Sequence, residues 1–64
     1  PMPHAVADGA AALRASANDT AEAMGELAAG TLFNVLDMAG GWAWGQVEED
    51  GLVGYLPLSA LTRQ

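Results

Sequence analysis

The feature that most restricts the fold of this sequence is a series of three short apolar segments between residues 31 and 57, separated by two glycine-containing turns. In the first segment, TLFNVLDM at residues 31–38, Phe33 and Val35 fall on one face and Asn34 on the other, as in a half-buried strand. AGG at 39–41 turns the chain, WAWGQVE at 42–48 returns it, and Asp50-Gly51 precedes LVGYLP as a hairpin signal. The pattern predicts three consecutive antiparallel strands.

The alanine-rich N-terminal half is rich in residues that favour helices. However, Asp8-Gly9 and SAND at residues 16–19 interrupt it with turn chemistry, and no helical period is sustained. We therefore predict a strand at residues 11–15, a long loop at 18–24 with room for one helical turn, and a short strand at 26–28. Pro57 ends the last strand, and residues 58–61 suit a single 3-10 turn. The prediction is all-β: a small five-stranded antiparallel barrel at residues 11–62, after a flexible lead at residues 1–10.

Composition excludes several classes of function. The chain has 64 residues, enough for one small domain, and its eight acidic and two basic residues give a net charge of -6. This charge argues against binding to nucleic acid phosphates. Cysteine is absent, which excludes a disulfide, a thiolate nucleophile and a thiolate metal site. The single histidine, His4, lies in the predicted flexible lead, so a metal-ligand role is disfavoured. We predict no metal and no cofactor.

Motifs for catalysis and for membrane association are also missing from the sequence. No two carboxylates can be assigned as an acid and base pair from their spacing, and no glycine-rich phosphate loop is present. The sequence contains neither an apolar run long enough to span a membrane nor a signal-peptide pattern. We therefore expect no membrane partner and favour a cytoplasmic over a periplasmic location.

Both tryptophans and the single tyrosine lie close together, and alternation assigns their directions. On residues 42–47, the small or aliphatic side chains that suit a tight barrel interior are Ala43, Gly45 and Val47. Trp42 and Trp44 then point outward. On the next strand Gly54 and Leu56 fit the interior, which directs Tyr55 outward, next to Trp44. Such a group is typical of a recognition surface, although aromatic rings that only close the barrel would show the same pattern.

The acidic residues form two sets with different expected roles. Glu48, Glu49 and Asp50 form a run at the predicted hairpin, which is typical of a solvated turn. Asp37 lies at a strand end, beside the turn that leads into Trp42, where a carboxylate can meet a cationic group. The candidate ligand-binding residues are therefore Trp42, Trp44, Tyr55 and Asp37, and no residue is predicted to be catalytic.

Three segments carry a resemblance to a known family: LRAS at 13–16, GELAAGTLFNVLD at 25–37 and GGWAWGQVEEDGLVGYLPLSAL at 40–61. They resemble the bacterial Src-homology-3-like (SH3-like) domain that precedes NlpC-type cysteine peptidases, especially bacterial dipeptidyl-peptidases. The most specific part is Trp-Ala-Trp at 42–44, with Asp-Gly at 50–51 and Gly-Tyr at 54–55. The sequence departs from the family pattern at Leu52 and Gly45, where an aromatic and a bulky residue are usual. Leu52 removes a possible stacking or hydroxyl contact at the hairpin tip.

The resemblance implies a non-catalytic domain whose partner is a C-terminal cysteine peptidase domain of the same parent chain. Such peptidases cleave between γ-D-glutamate and a diamino acid in cell-wall peptides (muropeptides), using a cysteine and a histidine of the catalytic domain. The SH3-like domain is expected to pack on that domain and to restrict substrates to short peptides with a free N-terminus. The ammonium group of an N-terminal L-alanine needs an acceptor, and a carboxylate with an aromatic hydroxyl suits it.

Two other functions stay open at this point. The first is a peptidoglycan-targeting module, which the negative charge disfavours because an anionic wall polymer would be repelled. The second is a general protein-interaction module that grips proline-rich peptides in an aromatic groove.

Overall fold

The computed structural model describes residues 2–7 and 9–63, and this part of the chain forms seven β-strands and one 3-10 turn. In chain order these are β1 (Met2–Val6), β2 (Ala11–Arg14), β3 (Ala23–Leu27), β4 (Leu32–Ala39), β5 (Trp42–Val47), β6 (Val53–Pro57), the 3-10 turn Leu58–Ala60 and β7 (Leu61–Arg63). The strands form one antiparallel sheet in the order β3-β2-β6-β5-β4-β1-β7. The predicted all-β SH3-like fold is confirmed. It has seven strands rather than five, and β3 and β7 remain edges, so the sheet is not closed into a barrel.

The predicted three-stranded meander is β4, β5 and β6, paired in sequence order. Its first turn contains Gly40 and Gly41, with φ of 58° and 81°, a conformation that residues with a Cβ seldom adopt. In the second turn Gly51 has φ of 77°, and the Asp50 carboxylate accepts a hydrogen bond of 3.1 Å from the Leu52 N–H. Both turns therefore lie where glycine and aspartate predicted them.

The loop of the N-terminal hairpin of β2 and β3 begins and ends earlier in the chain than the predicted loop at residues 18–24. The loop comprises residues 15–22, because Ala23 already pairs with Arg14 across a register shift between Leu13 and Arg14. The predicted helical turn does not form, and residues 15–21 are bends and turns. Asn18 organises the tip: its side-chain oxygen accepts hydrogen bonds from the Thr20 N–H at 2.9 Å and the Thr20 hydroxyl at 2.8 Å. A polar side chain thus replaces the expected helical backbone bonds.

The N-terminal segment differs most from the sequence-based expectation of a flexible lead. Met2–Val6 is a strand that lies between β4 and β7, and His4, Ala5 and Val6 are buried. The short segment, with two prolines in the first three residues, has no alternation that would predict a strand. Its order comes from backbone pairing on both sides, which depends on residues distant in sequence. β7 follows the 3-10 turn and was likewise not expected.

The core lies on the inner face of the sheet. Its largest fully buried side chains are Phe33, Leu13, Leu56, Val35 and Val47. Two strand glycines allow close packing there: Gly45 on β5 and Gly54 on β6 face the interior, as predicted from alternation, and the structure pairs them directly. A Cβ at Gly45 would overlap the Asn34 carbonyl oxygen of β4, so this glycine permits the close approach of two backbones. Among the described residues, no helix has the length and apolarity needed to cross a membrane.

Candidate ligand-binding site

The four residues predicted to bind a ligand lie together on the outer face of the sheet. Asp37 on β4 is the direct partner of Trp44 on β5, and Trp44 is the direct partner of Tyr55 on β6. Direct partners in antiparallel strands point to the same face. Trp42, two residues before Trp44, shares that face, so the predicted outward group of aromatics is confirmed.

The same residues line one pocket. It has a volume of about 290 Å³ and is bounded by Ala17, Asp37, Ala39, Trp42, Trp44 and Tyr55. Trp44 is 39% exposed, while Trp42 and Tyr55 are half-buried. We call this hollow the aromatic pocket. Its floor offers apolar ring surface, and its polar groups are one carboxylate, two indole N–H donors and one phenolic hydroxyl.

A β-bulge brings Asp37 to the pocket. The register of β4 and β5 shifts between Val35 and Asp37, which leaves Leu36 without a direct partner. Strict alternation from the buried Val35 would place Asp37 on the inner face, but the extra residue reverses this. The bulge thereby places a carboxylate beside Trp44 instead of in the core.

The Asp37 carboxylate is exposed. Among the side-chain hydrogen bonds within residues 2–7 and 9–63, none involves Asp37. An exposed carboxylate outside the internal hydrogen-bond network can accept bonds from a ligand without first giving up a protein partner. The chain therefore presents an anionic acceptor at the edge of an apolar floor.

The loop of residues 15–22 forms one wall of the aromatic pocket through Ala17. Arg14, the last residue of β2, is the direct partner of Tyr55, and its Nη1 donates a hydrogen bond of 2.9 Å to the Ala21 carbonyl oxygen. The Ala15 N–H also donates to the Glu22 carbonyl oxygen at 2.9 Å. Sequence reasoning did not identify Ala17, Ala39 or Arg14. Alanine carries no chemical signal, but Arg14, one of two basic residues in the chain and near the end of a predicted strand, could have been considered.

The model of the bacterial dipeptidyl-peptidase SH3 domain family matches residues 13–61 of this chain. The chain belongs to this family. The match includes the aromatic pocket and its loop, whereas β1 precedes it. Searches of curated proteins and of solved structures found no significant match.

Membership in the dipeptidyl-peptidase SH3 family makes this chain an accessory domain of a bacterial peptidase, of a type that is not itself catalytic. A catalytic domain in the same parent chain is the partner that this family suggests.

In the described part of the chain, no cluster of three or more His, Asp or Glu side chains could hold a metal ion. His4 is 7% exposed, and its Nδ1 lies 3.1 Å from the Met2 carbonyl oxygen.

The acidic turn lies apart from the aromatic pocket. Glu48, Glu49 and Asp50 are exposed, as expected for a solvated hairpin tip. Glu48 and Glu49 line a different, open hollow of about 420 Å³ together with residues 30–32. The two sets of acidic residues distinguished in the sequence are therefore separate in space.

Proposed function

We propose that this SH3 domain packs against an NlpC-type cysteine peptidase domain of its parent chain and selects that enzyme's substrates. The aromatic pocket closes one end of the catalytic cleft and receives the free N-terminus of a short muropeptide. The catalytic domain then cleaves the bond between γ-D-glutamate and the diamino acid. The observation that carries the proposal is the meeting of Asp37, Trp42, Trp44 and Tyr55 in one pocket.

The chemistry of the pocket supports recognition of an amine. Asp37 accepts hydrogen bonds from the substrate ammonium group, and such charge-assisted bonds are roughly twice as strong as neutral ones. The Tyr55 hydroxyl provides a second acceptor, and the indole rings exclude water around the N-terminal side chain. Asp37 and Tyr55 flank Trp44, so their backbones are about 10 Å apart, two strand spacings. This separation suits a small group that both side chains approach from opposite sides.

The size of the pocket supports a short segment of substrate. Its volume of about 290 Å³ matches the smallest small-molecule sites, whose volumes run from about 300 to 1,000 Å³. It has room for the N-terminal residue of a peptide and is too small for an extended chain. An acetyl group on the amine would remove the positive charge and enlarge the group that must enter. Selection for a free N-terminus follows from both effects.

The charge of the domain favours substrate selection over targeting to the intact wall. The net charge of -6 repels an anionic wall polymer, whereas a small peptide with a free ammonium group has a local positive charge for Asp37. Binding of proline-rich peptides would use the same aromatic rings and would not require the Asp37 charge. The role of that charge therefore separates the proposal from its alternatives.

The test is hydrolysis by the full-length parent protein of a stem peptide that begins with L-alanine, compared with its N-acetylated form. Asp37→Asn should lower kcat/KM for the free peptide by about 10- to 100-fold, the range for losing a hydrogen bond to a charged group. It should change the acetylated peptide much less. Glu49→Gln, which removes a charge from the acidic turn, is the matched control and should affect neither substrate. Equal losses on both peptides would contradict amine recognition by Asp37.

A further inference from the structure

The loop of residues 15–22 is held by hydrogen bonds rather than by apolar packing. Residues 15–20 are all exposed, and Ala21 is half-buried. The loop has no large apolar side chain that could anchor it in the core. Its tip is organised internally by Asn18, but those contacts do not attach the loop to the sheet. The position of the loop relative to the sheet therefore depends on the bonds near its base.

Arg14 provides the side-chain bond between the sheet and the far end of this loop. It is half-buried at the end of β2, beside Tyr55 of the aromatic pocket. Its guanidinium reaches seven residues along the chain to the Ala21 carbonyl oxygen, at 2.9 Å. A guanidinium is rigid and always charged, so this bond is stronger than a neutral one. Two backbone contacts also lie at the base of the loop: β2 and β3 pair at Arg14 and Ala23, and the Ala15 N–H donates to the Glu22 carbonyl oxygen.

We propose that Arg14 is a positioning residue that sets the width of the aromatic pocket. By holding Ala21, it keeps the loop folded against the sheet, and the loop in turn presents Ala17 as the wall of the pocket. Loss of the bond lets the loop move away from Trp44 and Tyr55 and leaves the floor of the pocket intact. The consequence for substrate binding rests on the proposed function. The hold of Arg14 on the loop is measurable without a substrate.

The structural part is tested by amide hydrogen exchange, followed by NMR on this chain. In Arg14→Met, which keeps a long apolar stem without donors, the Ala15 amide, which bonds to Glu22 at the base of the loop, should exchange about tenfold faster or more. The Val47 and Leu58 amides, which bond to Leu52 and Gly41 in other parts of the fold, should keep their rates. Arg14→Lys retains a charged donor and should restore part of the protection. Arg63→Met, at the exposed end of β7, is the matched control and should leave the Ala15 amide unchanged.

The results that overturn the inference are distinct from those that overturn the proposed function. An unchanged Ala15 amide in Arg14→Met, equally faster exchange at the Ala15, Val47 and Leu58 amides, or failure of that variant to fold would each show that Arg14 does not act selectively on the loop. In the full-length parent, Arg14→Met should raise KM for the free and the acetylated peptide alike, with kcat little changed. An effect on kcat alone would also contradict positioning. If Asp37→Asn lowers kcat/KM equally for the two peptides while the Ala15 amide responds to Arg14→Met, amine recognition fails and loop positioning stands.

Discussion

Replacement of Gly54 by valine tests the inner and outer faces of β6 on which the site depends. Gly54 is buried between the exposed Val53 and the half-buried Tyr55. A Cβ at this position would lie 2.8 Å from Leu13 Cγ, 2.9 Å from Leu13 Cδ1 and 2.8 Å from Met24 Cε. Met24 is 43% exposed and can move aside, but Leu13 has no exposed surface. The new side chain therefore has to displace a core residue.

The expected cost combines two opposing terms. Overpacking a well-packed core typically costs about 1–3 kcal/mol, and valine adds two methyl groups beyond the Cβ. Replacing a strand glycine also removes backbone freedom from the unfolded chain, which favours the variant by about 0.5–1 kcal/mol. We therefore expect Gly54→Val to lower the free energy of unfolding by about 0.5–2 kcal/mol, with the loss from packing dominant. Such a loss corresponds to a fall in Tm of several degrees, since 1 kcal/mol shifts a domain of this size by about 4–8 °C.

Chemical denaturation followed by tryptophan fluorescence measures this change. Gly25→Ala is the matched control, because Gly25 lies in β3 without a positive φ, and a Cβ added there would meet no atom within 4 Å. This control should be neutral or stabilise by about 0.5–1 kcal/mol. A midpoint for Gly54→Val equal to or above that of the unsubstituted chain would refute the argument. Tyr55 and Val53 would then belong on the inner face, and the aromatic pocket would not exist as described.

Three further substitutions test the packing around the site. Trp44→Ala should lower the free energy of unfolding by only about 1–2 kcal/mol, because the ring is 39% exposed and its removal loses limited apolar contact. The same change should impair substrate use by the full-length parent. A collapse in Tm would instead show that the ring seals the fold. Phe33→Ala, at a residue with no exposed surface, should cost about 3–5 kcal/mol in urea denaturation, and a smaller loss than for Trp44→Ala would reverse their assigned roles. In Gly45→Ala the new methyl group would overlap the Asn34 backbone, whereas in Gly54→Ala it would meet only side chains. Because a side chain moves aside more easily than a backbone, Gly45→Ala should lower the calorimetric Tm more than Gly54→Ala.

The local pattern of the sequence was sufficient for the meander and for the directions of its side chains. In β5 and β6 the alternation of small with large residues assigned Trp44 and Tyr55 to the outer face and Gly45 and Gly54 to the inner face, and the structure agrees. This succeeded because residues in these strands have a strict period of two. The Gly41 and Gly51 turns were also predictable, since both positions have positive φ that glycine adopts without strain.

The tertiary structure alone decided the features that depend on pairing between distant segments. Met2–Val6 becomes a strand because β4 and β7 supply partners on both sides, and its own sequence has no pattern that requires this. Asp37 joins the outer face because a bulge at Leu36 shifts the register against β5. Arg14 meets Ala21 only after the loop has closed. Alternation is a property of one strand, whereas register, bulges and side-chain bonds to a loop arise from two strands that meet in space. The sequence by itself therefore determined the composition of the aromatic face, and the packed sheet determined that a carboxylate and a loop complete it.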